Sequence, residues 1–231
     1  MTPERYQRIV DVLNKRQPDL TVITDEVHKG RNIAAIVRTC DAVGVDTIHA
    51  VMPKAGFQPY RGTALGSQKW VDVALYESPL EPIKNLQEKG FQVVAAHLSD
   101  NAVDYREIDY TKPTALLLGT EKYGVSESAL EYVDIETTVP MQGMVASFNV
   151  SVACAIIMAE ARHQREQAGL YGQARLSDEL YQKRLFCWCY PDLAEYCHQH
   201  DLKYPLMNEQ GDLVDASAWY AKVKQGIADK A

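Results

Sequence analysis

Between Leu20 and Val51 the chain reads LTVIT, then RNIAAIVRTCDAVG after a short polar interval, then VDTIHAV. The first and last runs have strand character. In the middle one, Ile33, Ile36, Val37 and Cys40 fall on one face of a helical wheel, and Gly44 supplies a common helix stop. Strand, helix and strand in that order form the crossover unit of a parallel sheet. The unbroken apolar run TALLLG (114–119) fits a strand covered on both faces. The expected fold class is therefore α/β, a mostly parallel sheet flanked by helices.

The remaining stretches extend that pattern. Tyr6, Ile9, Val10 and Leu13 recur at helical spacing over 3–16, and Pro18 ends the run. A Gly-rich, basic loop occupies 54–68. A strand is expected near 70–75, a helix near 79–89 closed by Gly90, and a strand over 91–97. A short helix near 126–132, capped by Ser126, leads to the strand-like DIETTVP (134–140). A small-residue helix follows, with Ser147 as its N-cap and Asn149 in its first turn. The segment AGLYGQ (168–173) reads as a hinge before a helical tail that begins at Ser177.

Composition narrows the class. The 231 residues are 46% hydrophobic and 24% charged, as in a globular protein. No run reaches membrane-spanning length and the N-terminus lacks a signal-like apolar core, so a cytoplasmic protein with no membrane contact is expected. Five cysteines, an odd number, argue against a disulfide framework. Cys187, Cys189 and Cys197, with His198 and His200, match no common zinc spacing. A net charge of −7 disfavours indiscriminate nucleic-acid binding but leaves room for local basic faces.

On pattern alone, Arg38 is an exposed helical arginine about 120° round the wheel from Asn32, GTEKYG (119–124) is a strand-to-helix loop, and VPMQGMVASFNVSVACAI (139–156) is the polar entry to a capped helix. Two features add interest. A loop at the carboxyl end of a parallel strand is where ligands usually sit, and Ala153, Ala155 and Ala159 would let another helix approach closely.

Taken together, NIAAIVR (32–38), LLLGTEKYGVS (116–126) and VPMQGMVASFNVSVACAI resemble, in order and spacing, the three signature motifs of the SpoU branch of the SPOUT RNA methyltransferases. The similarity reaches RYQRI, RQPDL, HKGRN, DAVGV, HLSDNAVDYREIDYTKPT and NEQG, and so covers nearly the whole chain. The resemblance is strongest to members that methylate the ribose 2′-hydroxyl of guanosine 18 in the D-loop of tRNA. Methylation of ribosomal RNA and a non-catalytic knotted RNA-binding protein are the alternatives.

That resemblance implies a deep trefoil knot over about 91–165, a homodimer, and S-adenosylmethionine bound in a bent form on the knot loops. It implies an N-terminal extension (1–19) and a C-terminal extension (169–231) that contact tRNA, around a catalytic domain at 20–168. Ala96, Gly119 and Val139 would border the cofactor, with Met141 and Phe148 closing an apolar adenine pocket. Arg38, Asn32, Glu121, Ser147 and Asn149 match the polar motif positions, with Asn32 and Asn149 expected to hold Arg38 in place. Arg5, Arg8, Arg16, Arg162, Arg165 and Arg175 would contact RNA phosphates, and no metal is expected.

Overall fold

In the computed structural model, which describes residues 1–51 and 69–230, the most apolar runs of the sequence are also the most central. β1 (Leu20–Thr24) and β6 (Thr114–Leu118) pair in parallel, Leu20 opposite Thr114 and Thr24 opposite Leu118, with every residue of both buried. Outward from β1 lie β2 (Thr47–Val51) and β3 (Asp72–Tyr76). Outward from β6 lie β4 (Gln92–Ala96), β7 (Ile135–Thr138) and the two-residue β5 (Val103–Asp104). The order is β3-β2-β1-β6-β4-β7-β5, and every pairing is parallel. The basic loop expected over 54–68 falls outside the described residues.

Alternation along the strands feeds two cores. Leu116 and Leu118 of β6 pack with α2 (Gly30–Ala42) and α5 (Val150–Gln167), through Ile36, Val37, Cys40, Cys154, Ile157 and Met158. Ala115 and Leu117 face the other way, towards Ile83 and Leu86 of α3 (Leu80–Glu88) and Ala129 of α4 (Glu127–Leu130). Each large aliphatic side chain buried this way contributes about 1.5–3 kcal/mol, which is why the central strands tolerate no polar interruption.

The chain divides into two compact units, Arg16–Gln173 and Met1–Lys15 together with Ala174–Ala231. The sheet lies in the first. In the second, α1 (Pro3–Leu13) packs on α6 (Asp178–Cys189), and Tyr181 donates to Asn14 Oδ1 at 3.0 Å. α7 (Pro191–Gln199) and α8 (Ala216–Gln225) complete it. Gly211, at φ +82°, is required there because a Cβ would sit 2.3 Å from the Tyr6 ring.

Two arginines expected on an RNA-binding surface are instead interior. Arg16 and Arg165 have no exposed surface. Arg16 donates to Val45 O at 2.8 Å, Trp70 O at 2.9 Å and Asp41 Oδ1 at 2.7 Å, joining the chain just before β1, β2 and β3. Arg165 donates to Gln17 Oε1 at 3.0 Å, Tyr110 O at 2.9 Å and the Asp19 carboxylate, at the amino ends of β1 and β6. A guanidinium loses its water when buried and must recover every donor from protein acceptors. Both place their terminal guanidinium nitrogens on groups distant in sequence, so neither is available to a phosphate.

Truncating one member of such a pair strands the other charge. Arg165→Ala is expected to destabilise the protein by about 3–5 kcal/mol in a denaturant melt. An unchanged midpoint would show that the buried network adds no net stability.

Candidate active site

β4, β6 and β7 end side by side, because Ala96 pairs with Leu118 on one side and with Thr137 on the other. Three loops therefore leave the carboxyl edge together: 97–102 after β4, 119–126 after β6 and 139–149 after β7. Between them lies a cavity of about 300 Å³. Ala96, His97 and Leu98 line it from the first loop, residues 119–124 from the second, and Val139, Ala146, Ser147 and Phe148 from the third. Leu118, Val150, Ala153 and Ile157 supply apolar surface from the adjoining strand and helix. This is the edge at which ligands bind in open parallel sheets.

The middle loop is locked. Thr120 N donates to Gly124 O at 2.8 Å and Gly124 N returns to Thr120 O at 2.9 Å. Thr120 Oγ1 accepts from Tyr123 N at 3.1 Å. So tight a closure needs both glycines. A Cβ on Gly119 would fall 2.0 Å from the carbonyl carbon of Gly124, and Gly124 itself adopts φ +70°. Asp25, buried just after β1, fastens the far end: its carboxylate accepts from Ser126 N at 2.8 Å, and its own N–H donates to Leu118 O at 2.7 Å.

At the rim, one side chain from each motif joins a single chain of hydrogen bonds. Asn149 Nδ2 donates to Asn32 Oδ1 at 3.3 Å, and Asn32 Nδ2 donates to Glu121 Oε1. Lys29 Nζ stands 3.4 Å from the same carboxylate oxygen. The other oxygen, Glu121 Oε2, is buried with no partner among the described residues. An unpaired carboxylate oxygen lining a cavity is a receptor for a cationic or hydrogen-bond-donating ligand.

Residues 19–159 match the model of the SpoU rRNA Methylase family, and residues 163–216 match that of the SpoU, rRNA methylase, C-terminal domain. The chain belongs to the SpoU methylase family. It is 45% identical over 226 residues to the tRNA (guanosine(18)-2'-O)-methyltransferase of Escherichia coli K12, covering 97% of this chain and 99% of that one. The solved TrmH/SpoU tRNA modifying enzyme of Aquifex aeolicus superposes with a TM-score of 0.77 at 43% identity, over 82% of this chain and 97% of that one. An AdoMet-bound rRNA methyltransferase from Sinorhizobium meliloti superposes at 0.52 with 28% identity, over 67% and 59% of the two chains.

Against this SpoU framework the expected residues separate into groups. Ala96, Gly119, Glu121, Val139, Ser147 and Phe148 all line the cavity, whereas Met141 does not. Asn32 and Asn149 do not hold Arg38. Asn149 donates to Asn32 and Asn32 donates to Glu121, because Asn32 stands at the start of α2 while Arg38 lies six residues on and turned away. Arg38 is exposed beside Ala35, Thr39, Ser151 and Val152, and makes no hydrogen bond or ion pair among the described residues. The N-cap of α5 is Asn149, whose Oδ1 accepts from Ser151 N, rather than Ser147.

Lys29, Asp25 and His97 were not singled out from the sequence. Asp25 had a faint signal, an acid closing an apolar strand; Lys29 and His97 had none. Of the arginines expected to meet RNA, Arg5, Arg8 and Arg162 are exposed, Arg162 pairing with Glu166 at 3.4 Å, and Arg175 is half-buried.

Gly119→Ala forces backbone atoms apart and is expected to cost about 1–3 kcal/mol in stability. It should also abolish ligand binding in the cavity, as read by calorimetric titration with S-adenosylmethionine. Parent-like titration of this variant would show that loop closure does not shape the site.

Proposed function

We propose that this chain transfers a methyl group from S-adenosylmethionine to the ribose 2′-hydroxyl of guanosine 18 in the D-loop of tRNA. The observation that carries the reading is the Asn149–Asn32–Glu121 chain at the rim of the strand-end cavity, in a SpoU methylase nearly half identical to an enzyme named for that reaction.

The residues present suit the cofactor. Ala96, Gly119 and Val139 would offer backbone groups, Phe148 would close on the adenine, and the Glu121 oxygen with no partner among the described residues suits a ligand that carries positive charge. S-adenosylmethionine supplies an electrophilic methyl on a cationic sulfur that leaves neutral. The protein has two tasks: to hold the 2′-oxygen in line with that methyl, and to stabilise the charge that develops on the oxygen. The new bond is O–CH₃, the broken one S–CH₃, and the hydroxyl proton leaves to solvent.

Arg38 takes the second task. Its guanidinium stays protonated and cannot act as a base, so it clamps an RNA phosphate and offers N–H donors to the 2′-oxygen. Having no partner among the described residues, it is free to do so. Asn32, Glu121 and Asn149 hold α2, the middle loop and α5 in register, and Ser147 shapes the cavity wall.

The segment 91–165 would be tied as a deep trefoil knot, and two copies would pair through the face of α2 and α5. The shallow hollow there, bordered by Ala35, Ala42, Ala155 and Ala159 with Val152 exposed, supports the homodimer. Exposed Arg5, Arg8 and Arg162, with Arg175, would contact tRNA phosphates through the terminal extensions (1–19 and 169–231) and the end of α5. A protein acting on tRNA would work in the cytoplasm. Ribosomal RNA, the substrate named for the similar methyltransferase of Sinorhizobium meliloti, is the second reading, and the intact polar chain argues against a non-catalytic binder.

Single-turnover transfer from labelled S-adenosylmethionine to unmodified tRNA and to ribosomal RNA separates the readings, with label expected in tRNA alone. Arg38→Lys keeps the charge but loses the planar fork. It is expected to slow transfer by about 100-fold or more, the scale of a lost transition-state donor, with cofactor affinity unchanged. A near-normal rate would overturn the role given to Arg38. Tenfold dilution of salt should tighten tRNA binding steeply; a flat dependence would count against phosphate contacts.

A further inference from the structure

The middle loop turns Glu121 inward but Tyr123 outward. Tyr123 is 76% exposed, although its loop is closed by the reciprocal backbone hydrogen bonds of Thr120 and Gly124. Its backbone N–H is fixed by Thr120 Oγ1, and two glycines set the path on either side, so the ring stands on a rigid base. Lys122 Nζ lies 4.7 Å from the ring centroid over one face. The other face has no ring or cation against it among the described residues. Leu98, 63% exposed, lines the same cavity from the loop after the neighbouring strand. Two large apolar side chains are thus held in water at the mouth of a ligand cavity, where neither adds to the core.

We propose that Tyr123 is a substrate-binding residue that stacks on the base of the nucleoside being methylated, with Leu98 bounding the same subsite and Lys122 facing the adjoining phosphate. This rests on the reading of the cavity as the methyl-donor site. A ribose brought to that site must place its base a few ångströms away, at the cavity rim. Proteins read unpaired RNA bases by stacking them on aromatic faces, with cations near the backbone. The pairing Lys122–Tyr123 supplies both: a π-face for the base and a charge for the phosphate. A rigid platform also limits the entropy lost on binding.

The test uses the full-length protein with S-adenosylmethionine and unmodified tRNA, comparing the parent with Tyr123→Ala, Tyr123→Phe and Leu98→Ser. A ring so exposed can be removed without loss of fold, and the thermal midpoint and the cofactor affinity of Tyr123→Ala should match the parent. Its kcat/KM for tRNA should fall roughly 5- to 150-fold, the range for losing one base–aromatic stack. Tyr123→Phe should restore it, because the ring and not the hydroxyl carries the contact, and Leu98→Ser should give a smaller loss in the same parameter. Parent-like kcat/KM in Tyr123→Ala, or a Tyr123→Phe as defective as the alanine variant, overturns the inference while leaving the methyl-transfer reading intact. Failure of the parent to methylate any tRNA overturns that reading, and the inference with it.

Discussion

Arg165 enters the interior from the last turn of α5 and places its donors on Gln17, Asp19 and Tyr110. That anchorage fixes far more than itself. α5 is a single helix from Val150 to Gln167, so its two ends stand about 25 Å apart at 1.5 Å per residue. One end is held by Arg165 at the amino edge of the sheet. The other begins at Asn149, at the carboxyl edge, where the loops converge. Setting the helix at one edge therefore sets the position of Asn149 at the other, and through it the contacts to Asn32 and Glu121. Arg16 does the same for β1, β2 and β3. The amino edge is cross-linked by buried charge, which leaves the carboxyl edge free to be shaped for a ligand.

At that edge the physical problem is to hold loops from distant parts of the chain without filling the space between them. Gly119 and Gly124 solve it by sterics: the backbone closes on itself where any side chain would stand in the way. Glu121 solves it by charge, drawing Asn32 and Lys29 from the start of α2. Hydrogen bonds to a charged group are worth about 1.5–3 kcal/mol each, enough to order a rim but not to make it rigid in the manner of the core. Among the described residues the carboxylate is only half used, which keeps an acceptor in reserve for what enters the cavity.

The sheet was legible because its signal is local. LTVIT and TALLLG announce buried strands, and the stripe of Ile33, Ile36, Val37 and Cys40 announces the helix between β1 and β2. Ser126 was read correctly as the residue before α4, although its hydroxyl makes no capping bond. Ser147 and Asn149 are both good N-caps by chemistry, and nothing in the intervening sequence tells which one the backbone selects. β5 has only two residues and no periodicity to read. Arg16 and Arg165 failed for a deeper reason. Burial of a guanidinium depends on acceptors far away along the chain, such as Gln17 for Arg165, so in sequence each looks like any surface arginine. The joining of Asn32, Glu121 and Asn149 is equally non-local. Only the resemblance of three ordered motifs placed them together, and it attached Asn32 and Asn149 to Arg38, where the structure joins them to each other and, through Asn32, to Glu121.

The account stands or falls on a ribose methyl group at one nucleotide. Mass-spectrometric mapping of tRNA from cells with and without the gene measures it directly. The account predicts 2′-O-methylguanosine at position 18 in the first sample, its loss from the second, and no other ribose changed. Unaltered guanosine 18, with a methyl group missing from ribosomal RNA instead, would contradict it.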